Sequence, residues 1–182
     1  MRYSIKELLF WKIRGERPIK AYLKAGLTLG GNFSMEMGCT LDYDHCFLIT
    51  IGDDVTLAPG VKILAHDAST KRSLGYTKIA KVNIGSRVFI GANSIILPGV
   101  TIGDDVIIGA GSVITKDVSS GSIVGGNPVR VIGYTEAYIK KNKDKMKEGN
   151  TFDSSYTLRE GVSDIKKEEL KDKIGDDIGF VE

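Results

Sequence analysis

An aliphatic residue recurs every six positions through the middle of the chain. A helix with 3.6 residues per turn cannot keep a six-residue repeat on one face, whereas a short strand followed by a turn can. The position after the aliphatic residue is often glycine, which gives the backbone freedom at a corner. The repeat therefore predicts a β-solenoid of short strands and turns. Its members are Ile84, Ile90, Ile96, Ile102, Ile108 and Ile114.

The same spacing continues upstream in two other registers, formed by Leu29, Met35 and Leu41 and by Ile51, Leu57 and Ile63. Three hexads make one triangular turn of a parallel β-helix, so the chain supplies about four coils. The break after Ile63 predicts a protruding loop at residues 69–83. The break between Leu41 and Ile51 has two interpretations, a four-residue insertion or a deletion of two residues from a pair of hexads.

The composition changes at both ends of the repeat, and this divides the chain into three parts. Residues 1–28 are predicted to form a helical cap, with short helices at 4–11 and 18–25. Residues 29–133 are predicted to form the β-helix. Residues 134–182 are rich in charge and predict a helical extension, with helices at 134–148 and 164–173 and Ser163 as the N-cap of the second.

Composition and charge exclude several classes of protein. The chain has 22 glycines but only 4 prolines in 182 residues, without the Gly-X-Y period of collagen. Its net charge of +2 gives no reason to expect a nucleic-acid partner. No apolar run approaches the roughly 20 residues that a membrane span needs, and no signal peptide is visible. We therefore expect a reduced, cytoplasmic protein.

Four segments of the repeat read LAPGVKILAHDAS at 57–69, IGANS at 90–94, GAGSVITKD at 109–117 and GNPVR at 126–130. Together they resemble the hexapeptide-repeat acyltransferases, in particular the maltose/galactoside, serine and capsular-polysaccharide O-acetyltransferase branch. The resemblance implies a left-handed parallel β-helix. It also implies a homotrimer with active sites at subunit interfaces and acetyl-CoA as co-substrate.

Acyl transfer from a thioester to a hydroxyl needs a base, a donor for the oxyanion and positioning of both substrates. Histidine is the natural base near neutral pH, and the chain has only His45 and His66. His66 falls at an outward turn position just before the predicted loop, and the resemblance aligns it with the catalytic histidine. No metal is expected to be required. The zinc carbonic anhydrases with this kind of β-helix use three ligand histidines, whereas this chain has two.

The acceptor is expected to contact His45, Asp44 and Asp67. If the first register break is a four-residue insertion, His45 lies beside His66 on the next coil, whereas a deletion would misalign the two histidines. Asp67 has three open roles: it could hold the imidazole, contact the acceptor, or cap its own turn.

The resemblance also implies residues that meet the coenzyme. Ala92 is the matching position for the backbone amide near the oxyanion, and Phe89 stands where relatives often carry a tryptophan near the pantetheine arm. The small residues at 109–111 suit a narrow groove for that arm. The predicted coenzyme-binding residues are Phe89, Ala92, Ala110, Thr115, Lys116 and Arg130.

The predicted function is therefore transfer of an acetyl group from acetyl-CoA to a hydroxyl of a sugar or glycan precursor, with His66 as general base in a ternary complex. Acetylation of an antibiotic or of serine is an alternative, because the donor site is shared and the acceptor pocket is built from variable loops. A non-catalytic β-solenoid scaffold or sugar-binding module is the remaining alternative.

Overall fold

The computed structural model describes residues 17–146 and 149–182. Within them, the repeat segment forms three parallel sheets. Each hexad supplies one short strand, and successive hexads place their strands in the three sheets in turn. This confirms the predicted solenoid, and the three-sheet arrangement is typical of a left-handed parallel β-helix. The sheets are called A, B and C below, in the order in which the chain visits them.

The strands of each sheet come from successive coils. Sheet A contains β1 (Thr28–Leu29), β4 (Ile49–Ile51), β9 (Val82–Ile84) and β12 (Thr101–Ile102). Sheet B contains β2 (Ser34–Met35), β5 (Thr56–Leu57), β10 (Phe89–Ile90), β13 (Ile107–Ile108), β15 (Ser122–Gly125) and β16 (Arg130–Tyr134), the last pair being antiparallel. Sheet C contains β3 (Thr40–Leu41), β6 (Lys62–Ile63), β11 (Ile95–Ile96) and β14 (Val113–Ile114).

Strand register decides between the two interpretations of the first break. Leu41 pairs with Ile63 in sheet C, and Ile51 pairs with Ile84 in sheet A. The break is therefore an insertion. The additional residues include a 3-10 helix at Cys46–Leu48, which lies outside the hexad geometry between β3 and β4.

The repeated aliphatic side chains fill the interior of the solenoid, and Ile90, Ile96, Ile108 and Ile114 have no solvent exposure. Glycine after an aliphatic residue allows the next coil to approach. A Cβ atom at Gly91 would lie 2.5 Å from the backbone nitrogen on the coil above it, closer than real Cβ contacts.

One end of the solenoid carries helix α1 (Ile19–Lys24), which corresponds to the predicted helix at 18–25. Its Tyr22 side chain is buried in the core cluster together with Leu27. This covers apolar surface that the first coil would otherwise expose. The other predicted helix, at residues 4–11, lies outside the described residues.

The second insertion forms a short hairpin with a helical tip. Strand β7 (His66–Asp67) pairs antiparallel with β8 (Lys78–Ile79). Between them lie a 3-10 helix at Ala68–Thr70 and helix α2 (Lys71–Leu74). His66 thus lies in a strand rather than at the predicted turn position, because the inserted segment folds back and supplies it with a pairing partner.

Residues 136–182 form a second compact unit. The predicted helices are present as α3 (Thr135–Lys145) and α4 (Asp164–Ile174), and the Ser163 hydroxyl accepts a hydrogen bond from the N–H of Lys166 as an N-cap does. The parallel strand pair of this unit was not predicted from the sequence; it consists of β17 (Thr151–Phe152) and β18 (Phe180–Val181). Two 3-10 helices lie between these strands, at Ser154–Tyr156 and Leu158–Glu160.

Candidate active site

His45 and His66 lie at the same corner of the solenoid, where the chain leaves sheet C and turns toward sheet A. This corner is called the CA corner below. The two rings belong to successive coils, and their centroids are 5.1 Å apart. They lie side by side because β3 and β6 pair in register and the insertion follows His45. The structure therefore brings together the two histidines of the sequence.

The carboxylate of Asp42 lies close to both rings. Its Oδ2 atom lies 2.5 Å from Nδ1 of His66 and also accepts the N–H of Ala65 at 2.9 Å. Its Oδ1 atom lies 3.5 Å from Nδ1 of His45. The Asp42 side chain is 2% exposed, whereas that of His66 is 39% exposed. The carboxylate is thus buried behind a histidine whose ring reaches solvent.

The ionised form of Asp42 is stabilised in spite of its burial. Burial by itself raises the pKa of the carboxyl, but the hydrogen bonds from the His66 ring and from the N–H of Ala65 outweigh it, so the pKa of Asp42 lies below its ordinary value. A carboxylate can only accept hydrogen bonds. The Nδ1 atom of His66 therefore carries the proton in this pair, which leaves Nε2 with the lone pair.

Asp42 was not predicted from the sequence as a partner of His66. A signal was present, because the equivalent positions after the inward aliphatic residue in sheet C are Leu64, Leu97 and Thr115. An acidic residue in this column departs from the pattern. Its meaning depended on the register of the first break, which the sequence left open.

Asp67 makes different contacts. Its carboxylate accepts the N–H of Ser69 at 2.8 Å, which caps the 3-10 helix, and pairs with Nζ of Lys78 across the hairpin at 2.6 Å. The hydrogen bond from Lys78 lowers the pKa of Asp67. Among the three roles left open for Asp67, these contacts match the turn cap, while Asp42 is the carboxylate that contacts the His66 ring.

The remaining predicted acceptor residues lie on the turn that precedes the first insertion. The side chain of His45 is 27% exposed. Asp44 is exposed one residue before it. Nearby, the exposed ring of Phe47 lies 6.2 Å from the His45 ring, centroid to centroid. The turn therefore offers polar and apolar surface beside the two histidines.

The predicted coenzyme residues lie at several places around the solenoid. Thr115 and Lys116 are exposed after β14, at the CA corner. Ala92 and Ala110 lie one above the other at the next corner back, between sheets B and C, where the carbonyl of Ala92 accepts the N–H of Gly111 at 2.8 Å. This second place is called the BC corner below.

The last two predicted coenzyme residues are also at the surface. Phe89 is 45% exposed on the outer face of sheet B, and Arg130 is exposed at the start of β16. Because the strands of sheet C lie between the BC corner and the CA corner, Ala92 and the histidines are at different corners of one chain.

Comparisons with known proteins agree with this architecture. A family model described as bacterial transferase hexapeptide, six repeats, matches residues 81–116. The chain is 50% identical to protein CapG of Staphylococcus aureus over 57% of this chain and 64% of CapG. It is 37% identical to galactoside O-acetyltransferase of Escherichia coli (strain K12) over 64% of this chain and 58% of the relative.

A solved galactoside acetyltransferase in complex with coenzyme A is also similar, with a TM-score of 0.56 and 28% identity over 74% of this chain and 80% of that one. Residues 81–116 of the repeat segment thus match the bacterial transferase hexapeptide repeats. The chain is also similar to the galactoside O-acetyltransferases and to CapG. The chain spans less than two thirds of the length of the curated relatives named above.

Proposed function

We propose that the chain is an O-acetyltransferase that moves the acetyl group of acetyl-CoA to a hydroxyl of a sugar or glycan precursor. The observation that carries this proposal is the buried carboxylate of Asp42 on Nδ1 of His66, at a corner of a solenoid similar to a coenzyme A-bound galactoside acetyltransferase. This arrangement supplies a histidine with a fixed tautomer, a partly exposed ring and the lone pair on Nε2.

The reaction follows from the chemistry of that nitrogen. Nε2 of His66 takes the proton of the acceptor hydroxyl as the hydroxyl oxygen attacks the thioester carbonyl carbon. The carbon–sulfur bond then breaks, and the leaving thiolate of coenzyme A receives the same proton. Asp42 holds the ring and stabilises the imidazolium that exists between the two proton transfers. No covalent intermediate on the protein and no metal is part of this sequence.

The oxyanion that forms on the thioester carbonyl needs a hydrogen-bond donor. The backbone N–H of Ala92 is the proposed donor, with Ala110 and Phe89 along the coenzyme arm and Thr115, Lys116 and Arg130 toward its polar groups. These roles come from the resemblance. The solvent exposure of Ala110, Phe89, Thr115, Lys116 and Arg130 is compatible with them.

A homotrimer would bring the BC corner of one subunit beside the CA corner of the next. Because Ala92 and His66 lie on opposite sides of sheet C, a site that uses both needs the BC corner of one copy beside the CA corner of another. A closed ring of three copies forms three such sites from identical contacts. We therefore place the proposed active site between subunits.

Mixing two inactive variants tests the shared site. His66→Ala removes the base, and Ala110→Trp fills the coenzyme groove at the other corner. If the site is shared, assembly of equal amounts restores activity to roughly a quarter of the wild-type value, because about a quarter of the interfaces then carry both intact corners. Mixed assemblies without activity would contradict a shared site.

An acceptor screen tests the function itself. Wild-type protein with acetyl-CoA is incubated with neutral and acidic sugars, with serine and with hydroxyl-bearing antibiotics, and each product is analysed by mass spectrometry. A mass gain of one acetyl group on a sugar supports the proposal. A mass gain on serine or on an antibiotic alone would identify that compound, rather than a sugar, as the acceptor. Failure to bind acetyl-CoA in calorimetry would contradict enzymatic transfer.

A further inference from the structure

The cluster of Asp42, His45 and His66 has an atom that the proposed reaction does not use. The Nδ1 atom of His45 is buried and has no hydrogen-bond partner among residues 17–146 and 149–182. It lies 3.5 Å from Oδ1 of Asp42, which is outside ordinary hydrogen-bond length for this pair. A buried polar atom without a partner costs free energy, so this nitrogen is available to a ligand that supplies one.

The atoms around this nitrogen have the chemistry of a metal site. One ligand atom each from Asp42, His45 and His66 lies within 4.8 Å of the other two. Two imidazole nitrogens and one carboxylate oxygen are donors that Zn²⁺ accepts, with a water as the fourth ligand. The Asp42 side chain is 2% exposed, so bulk water has little access to this carboxylate.

We propose that these three residues bind one divalent transition-metal ion of the Zn²⁺ type, and that the ion inhibits acetyl transfer. The binding step stands on the cluster alone, whereas inhibition rests on the proposed function. The ion takes the place of the proton on Nδ1 of His66, between that nitrogen and Asp42. It takes Nδ1 of His45 as a further ligand.

The ion inhibits rather than activates because it changes the tautomer of the His66 ring. With Asp42 alone as partner, the proton of the His66 ring is on Nδ1, and Nε2 has the lone pair that accepts the substrate proton. A metal on Nδ1 displaces that proton, so the neutral ring carries its hydrogen on Nε2 instead. Nε2 then cannot act as a base. The ion and the acceptor hydroxyl therefore compete through opposite nitrogens of one ring.

The two thiols of the chain are poor rivals for the ion. Cys39 and Cys46 are both buried. Ion bound at a thiol would also survive substitution of a histidine, and this provides a control.

Zinc uptake measured against a chromophoric chelator tests the site without any activity assay. We expect one equivalent per wild-type chain. Removal of a ligand in His45→Ala should weaken binding at least about tenfold, while Asp176→Asn, which removes an exposed carboxylate of the second unit, should leave it unchanged. No uptake by the wild type, or equal uptake by His45→Ala, would overturn the proposal.

Acetyl transfer at increasing Zn²⁺ tests the inhibitory part. Wild-type activity should fall with the same midpoint as uptake, and whatever activity His45→Ala retains should resist the ion. Activity that rises with Zn²⁺ would overturn the inhibition. If uptake follows the expected pattern but no acceptor is acetylated in the absence of metal, the metal site stands and the proposed function fails.

Discussion

Oδ2 of Asp42 and Nδ1 of His66 are 2.5 Å apart although the two residues are separated by 24 positions in the chain. The contact exists because Leu41 and Ile63 pair in register on adjacent coils, which places the residue after one strand beside the loop after the other. A ring held in this way keeps one tautomer and one orientation. The proposed reaction depends on both.

Asp42→Asn should therefore reduce catalysis without loss of substrate binding. The amide keeps the shape of the side chain but is a weaker acceptor and carries no charge to stabilise an imidazolium. We expect kcat to fall by roughly 10²–10⁴-fold, with the KM for acetyl-CoA nearly constant. Steady-state kinetics checks this. Asp44→Asn, on the exposed turn, should instead raise the KM of the acceptor, and equal effects of the two variants on kcat would contradict the assigned roles.

The same carboxylate should make stability depend on pH. Because the pKa of Asp42 is lowered in the folded chain, its ionised form stabilises the fold above the ordinary carboxyl value of about 4, and this contribution is lost as the pH falls through the lower folded-state value. In urea unfolding, the wild type should keep its advantage over Asp42→Asn at pH 7 and lose it progressively as the pH falls below about 5 toward the folded-state pKa of Asp42. A constant difference would show that the charge of Asp42 contributes nothing.

Ser112 provides a test of the solenoid near the proposed coenzyme groove. Its buried hydroxyl donates to the carbonyl of Gly109 at 2.5 Å and accepts the N–H of Gly126 at 3.1 Å. Ser112→Val leaves both backbone groups without that partner, so the free energy of unfolding should fall by about 1–3 kcal/mol. Ser119→Val, at an exposed position, should change it by less than about 0.5 kcal/mol. Denaturant titration compares the two.

Gly91 tests how closely the coils must pack beside Ala92. A Cβ at Gly91 would lie 2.5 Å from the backbone nitrogen of Ala110, whereas one at Gly31 would lie 3.6 Å from its nearest neighbour, an oxygen of Asp53. Gly91→Ala should destabilise the fold by about 1–3 kcal/mol or more, since backbone atoms have to move. Gly31→Ala should be nearly neutral in thermal unfolding. Similar melting temperatures for the two variants would contradict this packing.

The sequence predicted the fold well because the solenoid is local and periodic. Each hexad contributes one inward aliphatic residue, so the spacing of Ile84 and its successors was sufficient for the coils, and a serine before a charged segment was sufficient for the N-cap at Ser163. The strand pair at Phe152 and Val181 was missed because two residues per strand leave no periodicity to detect.

The site was predicted only in part. His66 was singled out as the candidate base because it is one of two histidines and precedes a break in the repeat. Asp42 was not found because its contact depends on which residues between Leu41 and Ile51 are inserted, and spacing alone allows two answers. Strand pairing resolved the register and with it the position of His45.

The central claim is that Nε2 of His66 takes the proton of the acceptor hydroxyl. Its most direct test compares kcat of the wild type and His66→Ala at saturating acetyl-CoA and acceptor, with coenzyme binding measured separately by calorimetry. We predict that kcat falls by roughly 10²–10⁴-fold while coenzyme binding is retained. A His66→Ala variant whose kcat stays within about twofold of the wild type would contradict the claim, because general acid–base catalysis contributes roughly 10²–10⁴-fold.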